Sequence, residues 1–185
     1  MKMPALAALT LLGALALSGC AAGTTTPSGT TVPSSTATAA ATDASASAGE
    51  SCAGVSVVVD FGPLDEPTIT DCAATGDAKT VPASTVVADA GATTEGTAQY
   101  GDQVVCRVNG RPAADETITV DGTAPFTEAC QGMPAAAAYW ALWIRPSADA
   151  DWEYAQEGLG SLKLEPGQSI GLVFTTGTET PTPGE

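Results

Sequence analysis

YWALWIRPSADADWEYAQEGLGSLKLEPGQSIGLVF, residues 139–174, is the stretch on which the reading of the fold turns. It holds all three tryptophans, a glycine-flanked loop, a Pro-Gly pair and the clearest strand alternation in the chain. Residues 139–144 carry apolar and aromatic side chains at successive positions, the pattern of a central strand that is packed on one face and offers Trp140 or Trp143 to the other. The two indoles are three residues apart, so on a strand they point to opposite faces and at least one belongs to the core. Trp152 sits in a polar loop with Tyr154 and is the best candidate for an exposed aromatic. Leu162 and Leu164 read as a short strand, Pro166 and Gly167 suit the two central positions of a type II turn, and Ile170, Leu172 and Phe174 mark a closing strand.

Upstream, Val55, Val57, Val59 and Phe61 share one face of a strand, with Ser56 and Asp60 on the other. The run from Gly62 to Pro67 breaks it and the β-formers Thr68, Ile69 and Thr70 resume, which predicts a hairpin whose arms bring Cys52 close to Cys72. Residues 80–90 are the one helix expected in the domain, capped by Ser84 or Thr85, with Val86, Val87 and Ala90 as its apolar face and Gly91 as its stop. Val104, Cys106 and Val108 form one side of a further strand that ends at Asn109-Gly110, a pair suited to positive φ. Residues 117–120 suggest another short strand before Asp121-Gly122, and the alanine-rich residues 133–138 suggest a helical turn. One short helix against a sheet of four to five strands is α+β.

Four cysteines, Cys52, Cys72, Cys106 and Cys130, remain once Cys20 is set aside, and an even number in an exported chain implies two disulfides. Of the three connectivities, Cys52–Cys72 with Cys106–Cys130 staples neighbouring elements. A loop of about twenty residues closed in this way contributes about 3 kcal/mol in the chain-entropy account. A metal site has little to recommend it, because there is no histidine and no CxxC spacing.

The first twenty residues read as an export signal: Lys2 is the positive start, residues 5–17 are apolar but too short to span a membrane, and Leu17-Ser18-Gly19-Cys20 has the order of a bacterial lipobox. Cys20 is then the lipidated N-terminus, and the chain is expected to be exported and anchored by its lipid to the outer face of the cell membrane. Residues 21–50, almost entirely Thr, Ser, Ala, Gly and Pro, read as a disordered tether, and residues 177–185 as a flexible tail. Between them, residues 51–176 suffice for one domain with a modest core.

The chain carries 6 basic and 21 acidic residues, a net charge of −15. Without Lys2 the balance is 5 against 21, or −16. Such a surface repels nucleic-acid phosphates and keeps an exported protein soluble. The absence of histidine removes Ser-His-Asp and Cys-His nucleophile systems, and adjacent carboxylates such as Asp65-Glu66 and Asp115-Glu116 are expected by chance among 21 acids, so no catalytic residue is assigned. Asp149, Asp151 and Glu153 alternate as in a calcium loop but lack its glycine and terminal glutamate, which leaves a solvated loop. Gly158 to Lys163 does not have phosphate-loop spacing.

A likeness is carried by five segments in order: Thr85-Val86-Val87 with Ala90, Val108-Asn109-Gly110, Tyr139-Trp140-Ala141-Leu142-Trp143, Gly158-Leu159-Gly160-Ser161-Leu162, and Glu165-Pro166-Gly167-Gln168-Ser169-Ile170. Together they resemble the C-terminal domain of transcobalamin and intrinsic factor and its bacterial relatives, in the soluble-ligand-binding β-grasp group. The resemblance covers roughly residues 53–175, and its specific part is residues 139–174. It implies a β-grasp-like sheet that binds a soluble ligand, cobalamin among the candidates. By this resemblance Trp140, Leu142 and Trp143 lie on one ligand-facing element and Gly158, Leu159, Gly160 and Ser161 on another. The carriers have a large helical domain with no counterpart in these residues, and Ser161 stands where they often have an acidic residue.

The expected role is therefore a non-catalytic binding domain, with Trp152 added to the ligand-facing set, no cofactor, and a small molecule or an envelope protein as partner. The rival is an interaction or surface-structural module that uses no small ligand. An exported protease inhibitor presenting a rigid segment between Cys106 and Cys130 ranks below both.

Overall fold

The computed structural model describes residues 52–177 and 181–184. The export signal, Cys20 and the tether lie outside the described residues. Among the described residues, no helix is long and apolar enough to cross a membrane.

Strand β1 (Val55–Asp60) forms where its alternating valines predict, and it pairs antiparallel with β2 (Ile69–Ala73) around a 3-10 turn at Gly62–Leu64. Cys52 and Cys72 are disulfide-bonded across this hairpin, with Cα atoms 5.6 Å apart. After β3 (Val81–Pro82) comes the α-helix α1 (Ala83–Asp89). Neither Ser84 nor Thr85 caps it. Pro82 stands at the N-cap in extended conformation without a side-chain cap bond, because Val81 and Pro82 are held as a strand against β8 (Lys163–Leu164), which moves the helix start upstream of both hydroxyls. The helix stops at Gly91, as expected, whose N–H donates to the Ala88 carbonyl at 2.9 Å.

Strands β4 (Thr94–Thr97) and β5 (Gly101–Val108) form a bulged antiparallel pair. β5 ends where Asn109 and Gly110 take φ of 50° and 73°. Cys106 in β5 is disulfide-bonded to Cys130. Residues 117–120 do not make a strand. Ile118 meets Phe126 in an isolated bridge, the Thr123 N–H closes onto the Val120 carbonyl at 3.0 Å, and Ile118 and Val120 are buried in the main core. Residues 133–138 form one turn, closed by the Ala138 N–H on the Ala135 carbonyl, rather than a helix.

The main sheet runs β2-β1-β9-β6-β7, with β6 (Ala138–Arg145), β7 (Glu153–Tyr154) and β9 (Ser169–Thr176). The centre of the sheet is β9, not β6. It pairs parallel with β1 and antiparallel with all eight residues of β6, and it is buried on both faces. A strand in that position reads as a near-continuous apolar run, and residues 170–174 have that character. The turn before it is of the expected kind: Gly167 has φ of 88° and the Gln168 N–H closes onto the Glu165 carbonyl at 3.1 Å.

One face of the sheet carries Val55, Val57, Val59, Trp140, Ile170, Leu172 and Phe174 into the main core, which α1 closes with Val86 and Val87. Leu159, Leu162 and Leu164 complete it from the loop side. The opposite face carries a smaller cluster of Ala141, Trp143 and Val173, with Tyr139 and Trp152 against it. The fold is thus mostly strands with one α-helix among the described residues, a mixed five-stranded sheet and two disulfides.

Candidate functional site

Strand β6 is covered unequally along its two sides. Toward β9 it is paired from end to end, but toward β7 only Trp143 and Ile144 have partners, followed by an Ala155 N–H on the Leu142 carbonyl at 2.9 Å. Its first half therefore has no strand beside it among the described residues, and a cleft of about 550 Å³ opens there. Gln103, Val104 and Val105 of β5 form one wall, residues 139–142 the other, Leu159 the base, and Met133 and Tyr154 the rim. Met133 is 68% exposed, the most exposed large apolar side chain among the described residues, and Tyr154 is 38% exposed. Glu157 is the one charged side chain among the described residues that line the cleft.

Apart from Glu157, the polar groups at the lip are few and neutral. The hydroxyls of Tyr139 and Tyr154 lie 3.4 Å apart, and the Tyr154 ring stacks on Trp143 with centroids 4.0 Å apart. The hydrogen bond to Tyr154, reinforced by burial, pushes the Tyr139 phenol up to about 12. Tyr139 is accordingly a neutral donor and acceptor at any physiological pH. The Gln103 and Gln156 amides add further uncharged partners.

Of the residues expected at a ligand site, Trp140, Leu142, Gly158 and Leu159 line this cleft, and Trp143, Trp152, Gly160 and Ser161 do not. Trp140 does so only marginally. It is 6% exposed, makes edge contacts with Phe61 and Phe174 at 5.3 and 5.5 Å, and donates its indole N–H to the Arg111 carbonyl at 3.1 Å. Trp143 is buried on the opposite face, as its three-residue offset requires. Trp152 is half-buried against that same cluster rather than standing free in a loop, with the Arg145 guanidinium 4.8 Å above its ring.

The glycine loop fits tightly, but against β5. A Cβ on Gly158 would lie 2.2 Å from the Gln103 backbone carbonyl oxygen and one on Gly160 would lie 2.8 Å from the Gln103 side-chain Nε2. The Gly160 N–H donates to the Asp102 carbonyl, and the Ser161 hydroxyl to Gln103 Oε1 at 3.1 Å. These residues build the corner of the cleft by letting two backbones touch. The sequence reading missed Met133, Tyr139, Tyr154 and Gln103. The Tyr-Trp start of β6 and the Trp-x-Tyr spacing of residues 152–154 were visible hints for the tyrosines, whereas Met133 and Gln103 have no local signal.

Arg107 and Arg111 are engaged away from the cleft. Arg107 is 8% exposed and donates to the Pro112 and Glu128 carbonyls and to Glu95. Arg111 grips both oxygens of Glu116, and also Glu66 and the Leu64 carbonyl. The Arg111–Glu116 hydrogen bonds raise the guanidinium and hold the Glu116 carboxyl below its ordinary value. Cys106, Glu128 and Cys130 bring ligand-type atoms together, but the two sulfurs are bonded to each other and offer no thiolate.

No family model matches the chain, and no curated protein or solved structure matches it.

Proposed function

We propose that the folded domain is a non-catalytic binding module, displayed outside the cell on a lipid-anchored chain, whose cleft beside β6 takes an apolar or aromatic small molecule. The observation that carries this reading is the cleft itself: about 550 Å³, apolar walls, an exposed methionine and tyrosine at the rim, and neutral hydroxyls and amides to orient a ligand. Small-molecule sites have this character and commonly measure about 300–1,000 Å³. The β-grasp reading is supported by the β1–β2 hairpin, by α1 packed on the sheet and by a last strand parallel to the first. A corrinoid enters as a candidate through the sequence likeness, with one edge in the cleft and the rest outside.

Titration of the purified domain with cobalamin, other corrinoids and a tetrapyrrole panel, read by tryptophan fluorescence and calorimetry, tests the proposal. Binding that weakens about tenfold or more in Tyr154→Ala, while the fold is retained, supports it. Silence across the panel removes the small-molecule form. The second reading, an interaction module, is favoured by the unpaired half of β6, an edge onto which an extended peptide can add as a strand. In that case the same Tyr154→Ala variant loses an envelope protein in a pull-down and responds to no small ligand.

A further inference from the structure

Charge around the cleft beside β6 is of one sign. Glu157 lines it, and none of Lys79, Arg107, Arg111, Arg145 and Lys163 does. Two more exposed carboxylates flank the lining segments along the chain, since Asp102 precedes Gln103 and Glu153 precedes Tyr154. Exposed charges act over about 8–10 Å at ordinary salt, so nearby groups set the field that a ligand meets at the mouth. The arginines that could offset these acids are held elsewhere. Arg107 is paired with Glu95, Arg111 with Glu66 and Glu116, and Arg145 lies over the Trp152 ring.

The uncharged lining favours the same kind of ligand. Tyr139 and Tyr154, two of the chain's three tyrosines, border the cleft, and the face of an aromatic ring is the negative end of its quadrupole. Trp143 covers one face of the Tyr154 ring, so the exposed part of Tyr154 is the other face and the edge. Such a face attracts a cation that comes within about 6 Å of its centroid. Gln156 donates its amide N–H to the Tyr154 carbonyl at 3.0 Å, which takes up a donor that an anion would need. An anionic ligand thus meets like charge at the mouth. A cation with an apolar body gains from Glu157 and the tyrosine face and still fills the walls of Val104, Val105, Leu142 and Leu159.

We propose that the cleft selects a free organic cation, an ammonium group carried on an apolar or aromatic body, with Glu157 and the Tyr154 ring as the groups that recognise its charge. This rests on the reading of the cleft as a small-molecule site and adds the sign of the ligand's charge. A quaternary ammonium suits it best, because it has no N–H groups that the few acceptors of the lining would have to satisfy. A phosphocholine headgroup suits it less, because its phosphate would be brought up to the same carboxylates.

The test compares para-hydroxyphenyltrimethylammonium with its uncharged carbon isostere, para-tert-butylphenol, below neutral pH where both phenols keep their protons. Each is titrated into the full chain, and binding is read by calorimetry and by the methyl resonance of Met133 at the rim. The expected result is that the cation binds about tenfold more tightly at about 0.01 M salt, and that this advantage shrinks at about 1 M, where the screening length falls from about 30 Å to about 3 Å. Glu157→Gln, at an exposed position, should reduce that advantage and leave the affinity for the isostere unchanged. Choline should displace the cation more readily than phosphocholine does. Equal affinity for the two probes, or an advantage that Glu157→Gln does not alter, overturns the proposal while the small-molecule reading of the cleft stands. Phosphocholine competing better than choline overturns the choice of a free cation in favour of a headgroup. If neither probe binds, the small-molecule reading falls together with the proposal.

Discussion

Gly158 touches the Gln103 carbonyl so closely that a methyl group in place of its hydrogen would lie 2.2 Å from that oxygen. The contact joins the loop after β7 to the wall of β5 and so sets the width of the cleft. Since both partners are backbone, neither can swing aside. We expect Gly158→Ala to destabilise the domain by about 1–3 kcal/mol, the usual range for forcing an extra methyl into a packed site. Urea denaturation measures the loss, and ligand binding at the cleft should weaken beyond what stability alone explains.

The two indoles of β6 should separate cleanly from the rim tyrosine in a mutational comparison. Trp140 joins Phe61 and Phe174 in the core and ties β6 to the Arg111 carbonyl, so Trp140→Ala should cost about 3–5 kcal/mol, typical of a buried aromatic. Tyr154 is 38% exposed, and Tyr154→Ala should cost about 1 kcal/mol or less while altering the cleft. Equal losses in thermal or urea unfolding for the two variants would contradict the assignment of Trp140 to the core and Tyr154 to the rim.

Acid stability should depend on Glu116. Its carboxyl is held low by the Arg111 hydrogen bonds, so the folded form binds its proton less readily than the unfolded chain does. Stability from this pair is therefore complete above the ordinary carboxyl value of 4.5 and is lost as the pH falls through the lower folded value. Glu116→Gln should flatten that part of the stability profile and leave neutral pH comparatively unaffected in slope. Unfolding midpoints measured from pH 6 down to about pH 3 provide the comparison.

Much of this arrangement was legible in the chain because it is local. The alternation of Val55, Val57 and Val59, the stop at Asn109-Gly110, the Pro166-Gly167 turn and both cysteine pairings follow from short-range chemistry, and the structure has them. The central place of β9 was not legible, because it depends on parallel pairing with β1 more than a hundred residues earlier. The offset of Trp140 and Trp143 fixed that they part, but not which face is the main core. Glycines at 158 and 160 signalled a close backbone approach without saying to what. A ligand and a neighbouring strand ask the same thing of a glycine, and here the neighbour is β5.

The tyrosine pair gives the opposite pH signature from Glu116. Tyr139 has its phenol pushed up to about 12 from an ordinary 10.0, chiefly by the hydrogen bond with Tyr154, so the folded state keeps a proton that the unfolded chain releases. Stability from this pair is complete below pH 10, and it declines as the pH rises from 10.0 toward 12. Tyr154→Phe removes the bonded oxygen while keeping the ring on Trp143, so it should bring the Tyr139 titration back toward its ordinary value and soften the alkaline loss of stability. Ultraviolet absorbance of the phenolate follows the titration directly. An unchanged Tyr139 midpoint in Tyr154→Phe would show that burial, rather than the partner hydroxyl, holds the proton.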